Sequence, residues 1–593
     1  MKRRGAQVLA LAAIAAACGS GQTRDNLFGR SSGWHDDHGR ALTLVRAHLR
    51  GTRPPPGADV VIGVAGDADK IVGLPLAGGW KWTFAHPLDG RPVIAGGLVV
   101  GAGGREVFAL DAITGAKVWA RDTGGLPLRG AGDDGNVTVL SLARGARGES
   151  STLLAVDRSG GVERQLETDE ALGAPAVVGG YAFVPWGGNL VSVIDPVDGD
   201  EPARVVLDER ASRAWTVGGG LYFGELGIYR FDERIGAAAA GGASHLALPH
   251  QGLPGEPTLF LPPEERGATT ATARDRARLF ARPSDPDGEL AFDAGRRYAT
   301  YARLVMGFDA ASGDLAWVHT HTHDVIAGSA GAGELVVCDD QGRISILDGK
   351  SGAVVAERDL GEVVASCVVQ IDGFRAPEAG APAAPPLSKQ IEEALAAKDP
   401  SLAGADRLLV RALEPLDDDV ATAVLLERAM DPGASKELAR DVRVALGSRR
   451  AGAKLLLAAL ARHYDYLRGP DVAPPVGPLA RSLAAMHERA AAPLLAAHLL
   501  DPANDDDDVR DVAAALVALG DASQLPALER FFALYRASAE GDAMVAAVVA
   551  AAEGIVRMGG KGDRALVDGA ARDPLTRAPI RAPLAALLAA LPE

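Results

Sequence analysis

Val107-Phe108-Ala109-Leu110-Asp111-Ala112-Ile113-Thr114-Gly115-Ala116-Lys117-Val118-Trp119 is the stretch whose reading decides the fold. An apolar run ends on Asp, a Thr-Gly pair follows, and a second short run ends on Trp. Asp can cap the free amides of a tight turn and Gly supplies the positive φ that closes it, so the pattern predicts a β-hairpin. The same shape returns at Val305 to Trp317, around Asp309, Ser312 and Gly313, and at Ile344 to Val355, around Asp348, Ser351 and Gly352. Weaker copies lie at Asp157-Arg158-Ser159-Gly160, at Asp195 to Gly199 and at Phe231-Asp232.

The Asp positions 111, 157, 195, 232, 309 and 348 recur with a period near 40, apart from one double step. A repeat of about 40 residues holding four strands is the signature of a propeller blade. Residues 262 to 300 read as an insertion that lengthens the double step. Val60 to Val64, Lys70 to Leu74 and Trp80 to Phe84 supply only three strands of a first blade, and Val363 to Ile371 offers a fourth at the far end. Sharing one blade between the two ends removes the open edge of the ring. The count is then seven blades, or eight if residues 233 to 308 hold a further one.

The repeat resembles the PQQ-like, quinoprotein-type propeller family, whose motif places a docking Trp four residues after the Gly. Trp82, Trp119 and Trp317 stand at that position, while Val355 and the weaker copies lack the indole. The resemblance spans residues 59–374 and concerns fold, not activity. Some members are quinone-dependent dehydrogenases, which hold their cofactor beside a vicinal disulfide. Cys338 and Cys367 are not adjacent and no catalytic Asp can be carried across, so the resemblance implies no cofactor and no enzyme here.

Residues 375–388, with Pro377, Pro382, Pro385 and Pro386, read as a linker. Beyond it, residues 389–593 turn to Ala/Leu-rich segments of helical period. Asp508 to Leu528 reads as a helix, a Gly520-Asp521 turn and a second helix, and resembles a HEAT repeat. Leu413, Leu446, Met486, Leu519 and Met558 align, with Val420, Ala453, Pro493, Pro526 and Ala565 each seven residues later. This predicts about five helix pairs stacked as a short right-handed α-solenoid with a concave face free for a partner. The fold class is therefore a multidomain one, an all-β propeller followed by an all-α solenoid.

At the start of the chain, Lys2-Arg3-Arg4 precede an apolar run from Ala6 to Ala17, then Cys18-Gly19-Ser20. The run is too short to span a bilayer and has the form of a secretory signal. Ala15, Ala16, Ala17 and Cys18 resemble a bacterial lipobox, which implies that residues 1–18 are a lipoprotein signal segment ending in the lipidated Cys18. Gly19 lacks the Asp that retains such proteins in the inner membrane. The resemblance thus implies an outer-membrane anchor facing the periplasm, with residues 19–58 as a flexible tether. No other apolar segment is long enough to span a bilayer.

The chain has 593 residues, 47% of them apolar, and a net charge of −16, which disfavours nucleic acid as a partner. In an oxidising compartment Cys338 and Cys367 could pair as a disulfide, and two buried thiols are the alternative. His319, His321 and His323 alternate, so on a strand all three imidazoles would project from one face and could hold Zn²⁺ or Cu²⁺. They also read as a polar strand exit into the next blade, the preferred reading because no distant fourth ligand is identifiable. His35-Asp36-Asp37-His38 is rich in ligands but lies in the expected tether. Asp417-Asp418-Asp419 and Asp505 to Asp508 precede helices and read as acidic first turns. The whole resembles BamB-like propeller lipoproteins of the outer-membrane β-barrel assembly machinery, which implies a non-catalytic scaffold binding envelope or outer-membrane proteins. A periplasmic ligand or metal sensor is the alternative.

Overall fold

The computed structural model describes residues 26–28, 38–145, 148–225, 227–231, 245–247, 277–280, 282–284, 290–376, 383–397, 399–462 and 473–590. Cys18, His35, Asp232 and the Pro377 to Pro382 stretch lie outside these residues, as does the His38 side chain. The chain divides into two compact units, Met1–Ala384 and Pro385–Glu593.

The first unit is a seven-bladed propeller. Each blade is a four-stranded antiparallel sheet. From the channel outward, blade 2 runs Val93–Ala95, Leu98–Gly103, Glu106–Asp111 and Lys117–Asp122; blades 3, 4, 5 and 7 repeat the same consecutive order. Blade 6 takes Ala277–Phe280 as its innermost strand and Arg296–Tyr301 as its second, with the small hairpin Pro283–Ser284 and Ala291–Phe292 between them. Residues 262 to 300 therefore include two strands of a blade rather than a pure insertion, and their polar Arg-rich composition is what disguised them.

Blade 1 closes the ring. Its three outer strands are Val60–Ala65, Lys70–Pro75 and Trp82–Ala85, and its innermost is Val364–Gln370 from the other end of the propeller. Val60 pairs with Gln370 and Gly63 with Cys367. Val60, Val61, Ile62 and Val64 are all fully buried, so this strand would be a sticky apolar edge without its partner.

The repeat motif folds as its residues dictate. Asp111 accepts from the amides of Ile113 (3.1 Å) and Thr114 (2.8 Å) and from the Thr114 hydroxyl (2.8 Å). Asp348 does the same for Ser351, and Asp309, Asp195 and Asp157 cap their own turns. Gly115, Gly160, Gly199, Gly313 and Gly352 take φ between 70° and 84°, the conformation a side chain resists.

Each docking Trp uses the next blade's turn. Trp82 donates its ring N–H to Ala112 O (3.1 Å) and Trp317 to Gly349 O (2.9 Å). A Cβ on Gly115 would lie 2.5 Å from Trp82, and one on Gly352 2.5 Å from Trp317, so Gly serves packing and turn together. Blade 3 places Arg164 where blades 1, 2 and 6 have Trp, and it donates to Val197 O (3.1 Å) and Asp198 O of blade 4. In blade 7 the docking position is Ala356, paired with Ile346 as Trp119 pairs with Ala109, and not Val355.

One expectation fails in the segment read as a tether. Helix α1 (His38–Leu49) buries Leu42 and Val45 among Val178, Phe183, Tyr229 and their neighbours in blades 4 and 5. Arg46 stacks over Phe231 (5.3 Å) and His48 hydrogen-bonds Gly179 O (3.0 Å). Asn26–Phe28 is also docked, with Phe28 edge-on to Trp186 (5.6 Å) and Leu27 O accepting from Arg204 (2.6 Å). Apolar residues at positions 42, 45 and 49 form the helical stripe that holds α1 down.

The second unit holds twelve α-helices among the described residues: α2 (Leu387–Ala396), α3 (Ala403–Leu413), α4 (Asp419–Ala429), α5 (Lys436–Gly447), α6 (Ala453–Leu460), α7 (Val476–Ala485), α8 (Ala492–His498), α9 (Asp506–Leu519), α10 (Leu525–Tyr535), α11 (Gly541–Met558), α12 (Lys561–Arg572) and α13 (Ala578–Ala589). Helix α4 packs on α5, α6 on α7, α8 on α9, α10 on α11 and α12 on α13, and α3, α5, α7, α9 and α11 pack in chain order as a solenoid. Asp418 and Asp505 are N-caps, accepting from the amides of Ala421 (2.8 Å) and Asp508 (2.7 Å). Arg449, fully buried, donates to Leu413 O (3.1 Å), Glu414 O (3.3 Å), Leu416 O, Asp418 O (3.2 Å) and the Thr422 hydroxyl (3.0 Å). It thereby satisfies the carbonyls that the end of α3 leaves without helical partners.

Candidate functional sites

Three concave regions on the two units gather polar chemistry. The first lies where blade 6 hands over to blade 7. Outer strand Leu315–Thr320 carries His319, and His321 and His323 follow in the crossover. A cleft of about 690 Å³ is lined by His319, His321, Arg343, Ser345, Glu357 and Arg358. His321 is buried, its Nε2 2.8 Å from the Ser345 hydroxyl and its Nδ1 3.4 Å from the Asp339 carboxylate. His319 and His321 lie with ring centroids 6.1 Å apart. His323 is drawn instead toward exposed Asp340 (3.9 Å).

The three imidazoles therefore do not converge. Among the described residues no group of three His, Cys, Asp or Glu side chains is gathered as a metal ion requires. Burial, with the neighbouring His321, pushes the His319 imidazole down to about 4. Burial lowers His321 as well, and raises the Asp339 carboxyl above the usual range.

Hydroxyl, imidazole and carboxylate in this order are also the order of a nucleophile, its base and the group that orients the base. Ser345, however, is only 3% exposed and sits on the third strand of its blade, paired to Val337 on one side and Glu357 on the other. Backbone amides there serve the sheet, where an oxyanion would need free ones. Asp339 also caps the adjoining turn through the amides of Gln341 (3.0 Å) and Arg343 (2.8 Å). The arrangement is a polar staple that fixes the crossover to the turn of blade 7. The alternation of His residues was legible; Ser345 and Asp339 were not, because only the packing of the crossover on blade 7 brings them to His321.

The second region is the channel mouth, a cavity of about 200 Å³ lined by Arg213, Trp215, Arg282, Gln370 and Asp372 among others. Asp372 accepts from the amides of Gly57 (2.9 Å) and Gly218 (3.2 Å) and pairs with Arg282 (3.5 Å). Arg282 also donates to Ile371 O (3.1 Å) and Asp372 O (2.6 Å). Burial brings Arg213 down to about 10, still charged at neutral pH. These contacts knit blades 1, 5 and 6 together where the closing strand ends.

Near that strand, Cys338 on the second strand of blade 7 is joined to Cys367 as a disulfide, their Cα atoms 6.6 Å apart. Both residues are buried.

The third region is a groove of about 950 Å³ in the helical unit, between α2, α4 and α6. Leu395, Leu426, Met430 and Leu455 give it an apolar floor, and Asp399, Asp406, Glu427 and Asp431, with Arg428 and Arg462, a charged rim that is acidic on balance, Arg428 pairing with Asp431 (3.5 Å). Burial raises the Asp406 carboxyl, opposed by the nearby Arg428 charge.

No family model and no curated protein sequence matches this chain. Its propeller is similar to several solved structures. BamB from Moraxella catarrhalis is 15% identical over 55% of this chain and 89% of that one, with a TM-score of 0.30. Apo AztD from Citrobacter koseri is 13% identical over 53% and 98% (TM-score 0.30), and the computationally designed Ika8 protein 12% over 54% and 94% (TM-score 0.29).

Proposed function

We propose that this chain is a non-catalytic protein-binding scaffold, tethered by a lipid on Cys18 to the periplasmic side of the bacterial outer membrane. The observation that carries the reading is the groove between α2, α4 and α6. Its apolar floor and acidic rim suit an amphipathic or basic segment of another protein, and stacked helix pairs display such a surface without a catalytic group. A ring closed by its own terminal strand adds a second rigid interaction surface. A role like that of BamB in outer-membrane protein assembly is the finer form of this proposal, and the HEAT-like character of the helix pairs belongs with it.

In-cell crosslinking of the tagged full-length chain, followed by mass spectrometry, tests the reading. Recovery of barrel-assembly components or nascent outer-membrane proteins supports the finer role. Reproducible capture of other envelope proteins supports a dedicated scaffold. Capture of nothing would overturn both, and a set of partners unchanged in a Leu426→Asp, Met430→Asp variant would overturn the groove as the binding surface.

A further inference from the structure

The sulfurs of Cys338 and Cys367 lie in the core between blade 7 and blade 1. Cys338 is fully buried and Cys367 is 6% exposed. Blade 7 contributes Val336, Ile344 and Ile346 to this core, and the strands that begin the propeller contribute Val61 and Val72. Strand pairing sets Gly63 beside Cys367, and a Cβ at Gly63 would lie 2.7 Å from Leu360 and from Val364. Val60–Ala65 is therefore seated directly on the crossover that leads into the closing strand, and it forms part of the cover over the bridge.

A disulfide forms when a thiolate attacks a disulfide sulfur of the oxidant and a second thiolate then resolves the mixed disulfide, so a cysteine sulfur must first be reached from outside. Burial on both sides puts these two sulfurs out of an oxidant's reach in the closed ring. Oxidation belongs to a stage at which the cover from blade 1 is absent. The contacts that bring the two cysteines together do not need that cover. Leu360 donates its amide to Gly342 O (2.9 Å) and Val364 to Asp340 O (3.0 Å), which ties the crossover and the start of the closing strand to the turn that follows Cys338. These contacts lie within the sequence separation of 29 between the cysteines, whereas Val60–Ala65 stands about 300 residues before its partner strand. Closing the short loop costs less chain entropy than closing the ring.

We propose that the bridge is made before the ring closes, by a dithiol–disulfide oxidase acting on blade 7 while the closing strand lies against it and Val60–Ala65 is still unpaired with that strand. One cysteine of the pair, as thiolate, attacks the enzyme's disulfide and expels one of its sulfurs as a thiolate. The other cysteine then attacks the mixed disulfide. The chain gives up two protons and two electrons, and the enzyme leaves as a dithiol carrying those electrons. The oxidised segment presents Val364–Gln370 as a fixed edge for Val60–Ala65, and closure seals the sulfurs. A reductant then meets the bridge only when the ring opens. The proposal depends neither on a lipid at Cys18 nor on the groove of the helical unit.

The test follows free thiol at Cys338 and Cys367 in the full-length chain by alkylation and peptide mass spectrometry, which keeps Cys18 out of the count. Chain folded in the reduced state is exposed to oxidised glutathione beside the same chain in denaturant. Oxidation slower by at least about a hundredfold in the folded chain, at a rate that stops rising with glutathione, is the result expected, because the ring must open first. A reduced chain that folds only once the oxidant is added supports the same order. Oxidation of the folded chain as fast as in denaturant would overturn it. In cells, an Ile62→Pro variant, which disrupts Val60–Ala65 in the middle of its sheet, should still carry the bridge after acid quenching and alkylation. Free thiols at both positions in that variant would show that oxidation needs the closed ring, and would overturn the proposal.

Discussion

Cys338 of blade 7 is bonded to Cys367 of the strand that completes blade 1, so the seam of the ring carries a covalent bridge as well as strand pairing. The bridge closes a loop with a sequence separation of 29, for which chain entropy gives about 3–4 kcal/mol. Thermal unfolding of the oxidised chain is expected to occur several degrees above that of a Cys367→Ser variant or of chain treated with reductant. Equal midpoints would show that the seam holds without the bridge.

Trp317 is fully buried and lies over Gly307, its partner in the sheet, while reaching Gly352 of the next blade. Trp317→Ala should cost about 3–5 kcal/mol as a cavity between blades 6 and 7. Gly307→Ala would press a methyl into the indole and should cost about 1–3 kcal/mol. Denaturant midpoints of the two variants check both figures.

Arg449 satisfies four carbonyls and one hydroxyl while fully buried. Arg449→Met should destabilise the helical unit by about 3–5 kcal/mol. Arg449→Lys should rescue little, because an ammonium cannot span the same fork of acceptors. Helical circular dichroism during chemical denaturation reads the difference.

His319 is held near 4 by burial, below its unfolded value of 6.5. The unfolded chain therefore binds more protons between these values, and stability is lost as pH falls from about 6.5 toward 4. Protonation of His319 should account for on the order of 3 kcal/mol of that loss. A His319→Gln variant should show a shallower decline over the same window. Asp339 works in the opposite sense: its raised carboxyl costs stability above its pKa and returns it on acidification.

The blades were legible because local chemistry sets them: an Asp, a hydroxyl residue and a Gly at fixed offsets specify the turn wherever they recur. Legibility failed where a different side chain does the same work. Arg164 replaces an indole by donating to the same neighbouring turn, which no aromatic search finds. Ala356, and not Val355, lies four residues after Gly352, as Trp119 does after Gly115, and the same β-bulge marks both strands. Helix α1 was hidden behind Arg and His on its polar side, though Leu42, Val45 and Leu49 mark its buried stripe. In the candidate site, the alternating His residues were visible but their partners were not. Ser345 and Asp339 meet His321 only through the packing of one blade on the next.

The shared composition of blade 1 also fixes a chronology. As the chain emerges from its N-terminal end, Val60–Ala65 appears first and its partner Val364–Gln370 last among the propeller strands. At about 5–20 residues per second, the intervening stretch of about 300 residues takes about 15–60 s to follow. Throughout that interval the inward edge of Val60–Ala65 lacks its partner strand. A chaperone that shields one strand, rather than the whole domain, would meet the need.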